Sequence, residues 1–291
     1  MDNPSGHKFL FIVNPKAGKG RFRKLIPLIK SSFPSSIRYD IVISQFPGEA
    51  RDMIRKWFGE YDVFVAAGGD GTVNEVGSEL INTSKHLGII PIGSGNGLAR
   101  EMGIPLDPKK ALDLLAKAKK KKIDTIKIND RTFINMAGTG FDGYVARRFE
   151  DSNKRGIIPY IKLVPQAIIN HKPQEFEIEI DGKKISKKAY MVSVANTTQF
   201  GGGAHICPPA RSDYGIAHLV VLKSFRYYLI PGMAIRLFTG NIEKSRAIEV
   251  YQGKEISISG KNLCTHIDGE PVELGDELKI SVIPKSVSII C

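Results

Sequence analysis

Residues 63–75, VFVAAGGDGTVNE, constrain the fold of this chain more than any other stretch. Val63, Phe64, Val65, Ala66 and Ala67 make an apolar run of the kind that forms a buried parallel strand, and it stops at Gly68-Gly69-Asp70-Gly71. A helix start follows. Thr72 reads as the N-cap with Glu75 three positions on, a capping box, and Val73, Val76, Leu80 and Ile81 recur at helical spacing. Strand, glycine turn and helix bring free N–H groups and the positive end of a helix dipole to one point, which favours an anion such as phosphate. The same glycines would also serve a tight turn that binds nothing, because glycine enters φ > 0 freely. Asp70 favours ligand chemistry: a carboxylate beside a phosphate site suits magnesium or a polarised hydroxyl.

Two further segments repeat this grammar. Residues 8–13 read as a strand, followed by Asn14-Pro15-Lys16-Ala17-Gly18-Lys19-Gly20 and an amphipathic helix. This is not a Walker A loop, since Val13 stands at the first glycine position and Gly20 where Ser or Thr belongs. Lys19 and the loop amides suit phosphate; a basic exposed turn is the plain alternative. Residues 87–92 form another buried strand before Gly93-Ser94-Gly95-Asn96-Gly97, and Leu98 and Arg100 fall where GxGxxG needs glycine, which excludes a dinucleotide fingerprint in its usual form. Three such loops at strand ends converge on one carboxyl edge if the strands are parallel, and ligands of open α/β sheets bind at that edge. Asp107 and Pro108 then start a helix, and Lys117 with Lys119 to Lys122 crowd its end. Those lysines read as a solvated face, or as a contact with anionic lipid at about 1 kcal/mol per basic residue.

Near Ile123 strands begin to outnumber helices, and residues 124–291 read as a largely antiparallel β domain interrupted by helices over 157–170 and 225–239. Two carboxylates sit there in glycine turns, Asp142 in Gly138-Thr139-Gly140-Phe141-Asp142-Gly143 and Asp268 in Ile267-Asp268-Gly269-Glu270. Asp-Gly is a common type I′ hairpin dipeptide, so the second turn has a purely structural reading as well. The 42 Lys and Arg against 30 Asp and Glu give a formal charge of +12, which suits nucleotide phosphates, nucleic acid or anionic membranes. No apolar run approaches the ~20 residues of a membrane span, and the first eleven residues lack a signal-peptide core, so a cytoplasmic protein is expected. Cys207, Cys264 and Cys291 have neither disulfide-framework nor zinc spacing and read as reduced thiols.

Together, Asn14-Pro15-x-x-Gly18, GGDGTVNE at 68–75, GSGNGLAR at 93–100, the Ile123-Asp124 step and IDGE at 267–270 resemble, in order, the diacylglycerol kinase catalytic domain family. These lipid kinases include sphingosine and ceramide kinases and bacterial soluble lipid kinases. GGDGT alone is shared with NAD kinases; the ordered set is far more specific. The resemblance implies a three-layer α/β domain, NAD kinase/diacylglycerol kinase-like, over residues 1–123, and an antiparallel β-sandwich domain over 124–291, with ATP in the cleft between them. It places ATP against Gly68, Gly69, Gly71 and Thr72, with Asn14, Lys19, Glu75, Gly93, Ser94, Asn96 and Arg100 also at its site. Asp70 would order Mg²⁺ around the phosphates, and Asp268, with Glu270 beside it, would be the general base for the acceptor hydroxyl. In some relatives the aspartate of the GGDGT-type loop is itself the base, so Asp70 and Asp268 share the candidacy.

This chain departs from the family pattern at three places. Gly97 stands where many bacterial members carry Asp, so an ionic network through that position is missing. Members that hold a structural magnesium use Asp-Asp-Gly, whereas Asp213-Tyr214-Gly215 leaves Asp213 as the candidate ligand here. The chain also ends strand-like at Cys291. The expectation is an ATP- and Mg²⁺-dependent lipid kinase acting on a diacylglycerol- or sphingoid-type hydroxyl. It would be a peripheral protein at an anionic membrane surface, with no nucleic-acid partner and with homodimerisation allowed. The alternatives are an NAD kinase-like phosphotransferase and a non-catalytic nucleotide or membrane-surface sensor.

Overall fold

The computed structural model describes residues 6–117, 119–151, 164, 167–168 and 170–291. They form two compact units, Met1–Ile123 with Lys285–Cys291, and Asp124–Pro284.

The first unit is built on a parallel sheet in the order β2-β1-β3-β4, with β1 Lys8–Val13, β2 Arg38–Ile43, β3 Val63–Gly68 and β4 His86–Pro91. Phe9 to Val13 and Val63 to Ala67 are fully buried or nearly so, the signature of strands covered on both faces. Helices α1 (Phe22–Ser32), α2 (Glu49–Trp57), α3 (Asp70–Glu79), α4 (Gly97–Glu101) and α5 (Pro108–Leu115) follow in chain order. Asp107 caps α5 by accepting the Lys110 N–H at 2.9 Å. The connection leaving β1 leads outward to β2, whereas the one leaving β3 leads the other way to β4. The loops after β1 and β3 therefore diverge at a topological switch point, where such sheets bind ligands.

Two local expectations change. Thr72 is not an N-cap: α3 begins at Asp70 after Gly69, and Thr72 lies buried in the first turn with its Oγ1 accepting from Asn14 Nδ2 at 2.9 Å. The hydroxyl is used to tie two loops together, so the Thr72–Glu75 capping box does not form. Lys120 to Lys122 belong to the start of strand β5 (Lys120–Ile128) rather than to a helix end.

The second unit is a largely antiparallel β-sandwich. Its strands are β6 (Arg131–Phe133), β7 (Met136–Gly140), β8 (Gln174–Ile180), β9 (Lys183–Ala195), β10 (Ala217–Lys223), β11 (Ile248–Gly253), β12 (Glu255–Ser259), β13 (Thr265–Ile267) and β14 (Glu270–Val272). The final strand, β15 (Glu277–Ile290), pairs with β12 through its first half. β9 and β10 bury both faces. Val192, Val194, Leu219 and Val221 enter one core with Phe176 and Ile258, while Met191, Val220 and Leu222 enter another with Met136, Phe141 and Val145. That is why residues 189–195 and 217–222 read as continuous apolar runs and not as alternating strands. Helix α6 (Phe141–Asp151) contributes Phe141 and Val145 to the second core. The helix expected over 225–239 is shorter: a 3₁₀ turn, Tyr227–Leu229, leads into α7 (Ile230–Phe238). The helix expected over 157–170 falls largely outside the described residues. Among the described residues no helix is long and apolar enough to cross a membrane.

The last seven residues return to the first unit. β15 ends parallel to β4, with Ser288 opposite His86 and Ile289 opposite Leu87. Val287, Ile289 and Ile290 there are fully buried. At about 1.5–3 kcal/mol for each such side chain, their loss rivals the roughly 5–15 kcal/mol that holds a domain together. A chain ending at Pro284 is therefore expected to lose cooperative unfolding of the first unit in calorimetry; an unchanged melting profile would contradict this account.

Candidate functional site

In the first unit the three glycine loops are braced against one another by their own polar groups. Asn14 donates its side-chain N–H to Thr72 and accepts the Lys16 N–H at 2.9 Å, linking the loop after β1 to the first turn of α3. Asp70 links that turn to the third loop: Oδ2 accepts the Asn96 N–H at 2.8 Å and Oδ1 the Gly97 N–H at 2.6 Å. Asn96, left-handed with φ 52°, returns its side-chain N–H to the Gly93 carbonyl at 2.9 Å. Gly93 lies so close to Gly69 that any Cβ on it would collide with the Gly69 backbone. Glycine is required there by space between two loops, a reason that no turn rule supplies.

This arrangement leaves α3 open at its N-terminus. Gly69 is its N-cap and offers no side-chain cap, so the amides of Gly71 and Thr72 in the first turn keep the donor character that attracts phosphate. Burial lifts the Asp70 carboxyl above the ordinary carboxylate range, against the pull of the Gly97 and Asn96 amides and of Arg100. Arg100 itself is exposed and donates Nε–H to the Gly95 carbonyl at 3.1 Å. Ser94 is exposed at the tip of the third loop, and Glu75 is half-buried on α3. The Lys19 side chain lies outside the description.

In the second unit, Asp268 and Gly269 form the left-handed pair of a β13–β14 hairpin, with φ 48° and 87°. The hairpin reading of Asp-Gly is therefore correct, and the carboxylate has a further role. Its Oδ1 accepts the Asn135 and Met136 N–H groups at 3.0 and 2.9 Å, and Oδ2 accepts the Ile134 N–H at 3.2 Å. Burial pushes its carboxyl up to about 6, against the lowering effect of those amides and of His266. Asp181 provides an internal control. It occupies the same Asp-Gly turn between β8 and β9 and accepts the Lys254 and Glu255 amides, yet it is exposed and its carboxyl is held below the usual range by those bonds. Turn type and amide donors are shared, and burial, the largest influence on Asp268, sets the opposite direction there. Glu270, at the start of β14, is exposed.

Behind that hairpin stands a buried network that sequence reasoning did not assemble. His266 Nδ1 accepts the Gly269 N–H at 3.2 Å, which fixes the other ring nitrogen, Nε2, as the donor towards Asp142 Oδ2 at 3.2 Å. Asp142 Oδ2 also accepts from Ser193 Oγ, and Oδ1 accepts the Gly143 N–H at 2.9 Å. A Cβ at Gly138 would occupy the space of the Asp142 carboxylate, so the glycine of that motif makes room for the charge. The chain thus positions Asp268 from both sides, through amides of residues 134–136 and through His266 under Gly269. The available signal was Asp142 within its glycine motif; its partners lie 51 and 124 residues away, beyond any local pattern.

Asp213, the candidate ligand of a second magnesium, accepts from Arg211 Nε at 3.3 Å, and the Gly215 N–H of the same turn donates to Asp124 at 2.6 Å. The turn is stabilised by the protein's own donors. Among the described residues, no three His, Cys, Asp or Glu side chains gather to hold a metal. A magnesium carried in on phosphate oxygens needs only one or two protein carboxylates, a requirement that Asp70 could meet.

Residues 8–128 match the family model of the diacylglycerol kinase catalytic domain, and residues 135–291 match that of the YegS C-terminal NAD kinase beta sandwich-like domain. A probable lipid kinase YegS-like of Yersinia enterocolitica is 28% identical over 97% of this chain and 95% of its own length. A diacylglycerol kinase of Staphylococcus aureus is 30% identical over 89% of this chain and 84% of its own. The crystal structure of a putative diacylglycerol kinase from Bacillus anthracis superposes with a TM-score of 0.83 at 27% identity, covering 98% of this chain and 95% of that one.

A carboxyl raised from 3.8 to about 6 in the folded state favours folding fully below pH about 4, and that contribution is lost as pH rises through about 6. Denaturant titrations should show this decline, and Asp268→Asn should remove its share of the slope. His266→Ala leaves Asp142 and the Gly269 amide each short of a partner, and is expected to destabilise the second unit by about 1–3 kcal/mol. A variant as stable as the parent would mean that the network carries no weight.

Proposed function

Because the chain belongs to the diacylglycerol kinase family of lipid kinases, we propose that it transfers the γ-phosphoryl group of ATP, with Mg²⁺, to the hydroxyl of a diacylglycerol- or sphingoid-type lipid. That the chain is a lipid kinase follows from the family; the nucleotide, the ion and the acceptor type are the finer reading. The observation that carries it is the Asp268 carboxylate. It is half-buried, oriented by three amides and raised to about 6, the condition of a general base poised near the working pH. Oδ1 already accepts two amides, whereas Oδ2 accepts one at 3.2 Å. Oδ2 is therefore the oxygen with capacity to take the proton of the acceptor hydroxyl as its oxygen attacks phosphorus.

The nucleotide phosphates belong at the open N-terminus of α3 and the glycine loops around it. The amides of Gly69, Gly71 and Thr72 supply donors that need no reorganisation, since Asn14 and Asp70 already hold the loops in register. Lys19, Gly68, Glu75, Gly93, Ser94, Asn96 and Arg100 are assigned to the same site. Magnesium, when bound with the nucleotide, neutralises phosphate charge. Asp70 is the carboxylate assigned to it, because it stands in the first turn of α3 beside the amides assigned to the phosphates. Asp70 then organises the phosphates and Asp268 moves the proton.

Incubation with Mg·ATP labelled in the γ-phosphate, together with either NAD or a total lipid extract, tests the reading. Label is expected in the lipid fraction; label only in NADP would move the assignment to a soluble nucleotide acceptor, and ATP binding without transfer to either would make the protein a sensor. Asp268→Asn should lower turnover by roughly 10²–10⁴-fold with nucleotide binding retained. The parent's kcat/KM should rise with pH through an apparent pKa near 6, where Asp268 deprotonates, and the variant should lack that limb.

A further inference from the structure

We propose that the exposed surface made by the Tyr227–Leu229 turn and α7 docks the protein on an anionic phospholipid bilayer. The α7 sequence, IPGMAIRLF, is apolar on every side but for one arginine. Ile230, Met233 and Leu237, at positions i, i+3 and i+7, pack against the core that Met191, Val220 and Leu222 line. The opposite face, Pro231, Ala234, Ile235 and Phe238, is exposed, and Ile235 is 66% accessible. A helix that is apolar all round is ordinarily buried, so this one has a second apolar face that the described residues leave open. The preceding turn extends the patch with Tyr227, Tyr228 and Leu229, and Tyr228 is 71% accessible. Tyrosine, with an apolar ring and a polar tip, suits the boundary between headgroup and hydrocarbon.

Charge selects the occupant. Across residues 224–246 the exposed ionic side chains are Arg226, Arg236, Lys244 and Arg246, and the single carboxylate of the stretch, Glu243, is half-buried. An apolar face whose own stretch of chain exposes cations and no carboxylate complements an anionic headgroup layer over hydrocarbon. A two-fold contact with a second copy would set these same cations against themselves, which disfavours self-association through this patch. The inference rests on the lipid-kinase reading above and deepens it, since a bilayer-seated enzyme meets an acceptor dissolved in that bilayer. None of the patch residues is among those assigned to phosphoryl transfer.

The test uses the full chain and a triple variant, Tyr228→Ser with Ile235→Ser and Phe238→Ser, all at exposed positions. Each is sedimented with phosphatidylcholine vesicles containing about 30 mol % phosphatidylglycerol and with phosphatidylcholine alone. The parent is expected to bind the anionic vesicles and to be released by salt. The triple variant should bind at least about tenfold more weakly. It should also keep the parent's turnover on a short-chain acceptor dissolved as monomer. Undiminished vesicle binding by the triple variant would overturn the proposal. So would a parent that ignores vesicles but elutes as a dimer which the triple variant breaks. Vesicle binding is read without catalysis, so a failure to phosphorylate any lipid would remove the functional reading while the docking result still stood.

Discussion

Asp70 holds the glycine loops of the first unit together with one carboxylate oxygen on each of two backbone amides, those of Asn96 and Gly97. Because those amides begin α4, the carboxylate serves that helix as a cap supplied from a distant loop. Asn14 makes the matching tie on the other side through Thr72, and the Gly69–Gly93 approach leaves no room for a side chain between the loops. Each strand end is thus fixed by its neighbour, and the open amides of α3 are presented without having to be ordered by a ligand. Gly97 reaches Asp70 through its N–H.

The same solution recurs through the molecule. Asp70, Asp124, Asp142, Asp181 and Asp268 all accept backbone amides. Amides orient a carboxylate without the deep pKa depression that a buried guanidinium imposes, so burial is free to raise Asp268 while its geometry stays fixed. Where two of the Lys side chains do pair with a carboxylate, at Glu249, Lys187 and Lys223 hold its carboxyl down to about 2. Such a group could not serve as a base near neutral pH.

Burial of both faces of β9 and β10 gives the second unit its two cores, and this also governs where function can sit. Ser193 lies on β9 within that buried stretch and still carries a hydroxyl, since Asp142 and His266 satisfy one another and it completes the set. On the outer side of the second core, α7 spends one apolar face on packing and shows another to solvent. The contrast between a fully satisfied polar network inside and an unsatisfied apolar face outside is what separates positioning from docking in this unit.

The strand, glycine and helix grammar of the first 123 residues and the family were legible in the sequence, because parallel buried strands are continuous apolar runs and glycine loops at their ends are local patterns. The Asp181-Gly182 and Asp268-Gly269 hairpins were legible for the same reason. What the sequence could not separate was the fate of these two aspartates, since the same dipeptide in the same turn differs only in what lies over it. The role of Thr72 also depended on Asn14, 58 residues away, and local capping rules misassigned it. The Asp142–His266–Ser193 network, the return of residues 285–291 to the first sheet and the open face of α7 all depend on neighbours distant in sequence. Sequence determined which residues could carry charge, turn or strand; tertiary structure decided which were dry, which were braced and which were left exposed, because burial and hydrogen-bond partnership are properties of the assembled neighbours and not of the residue.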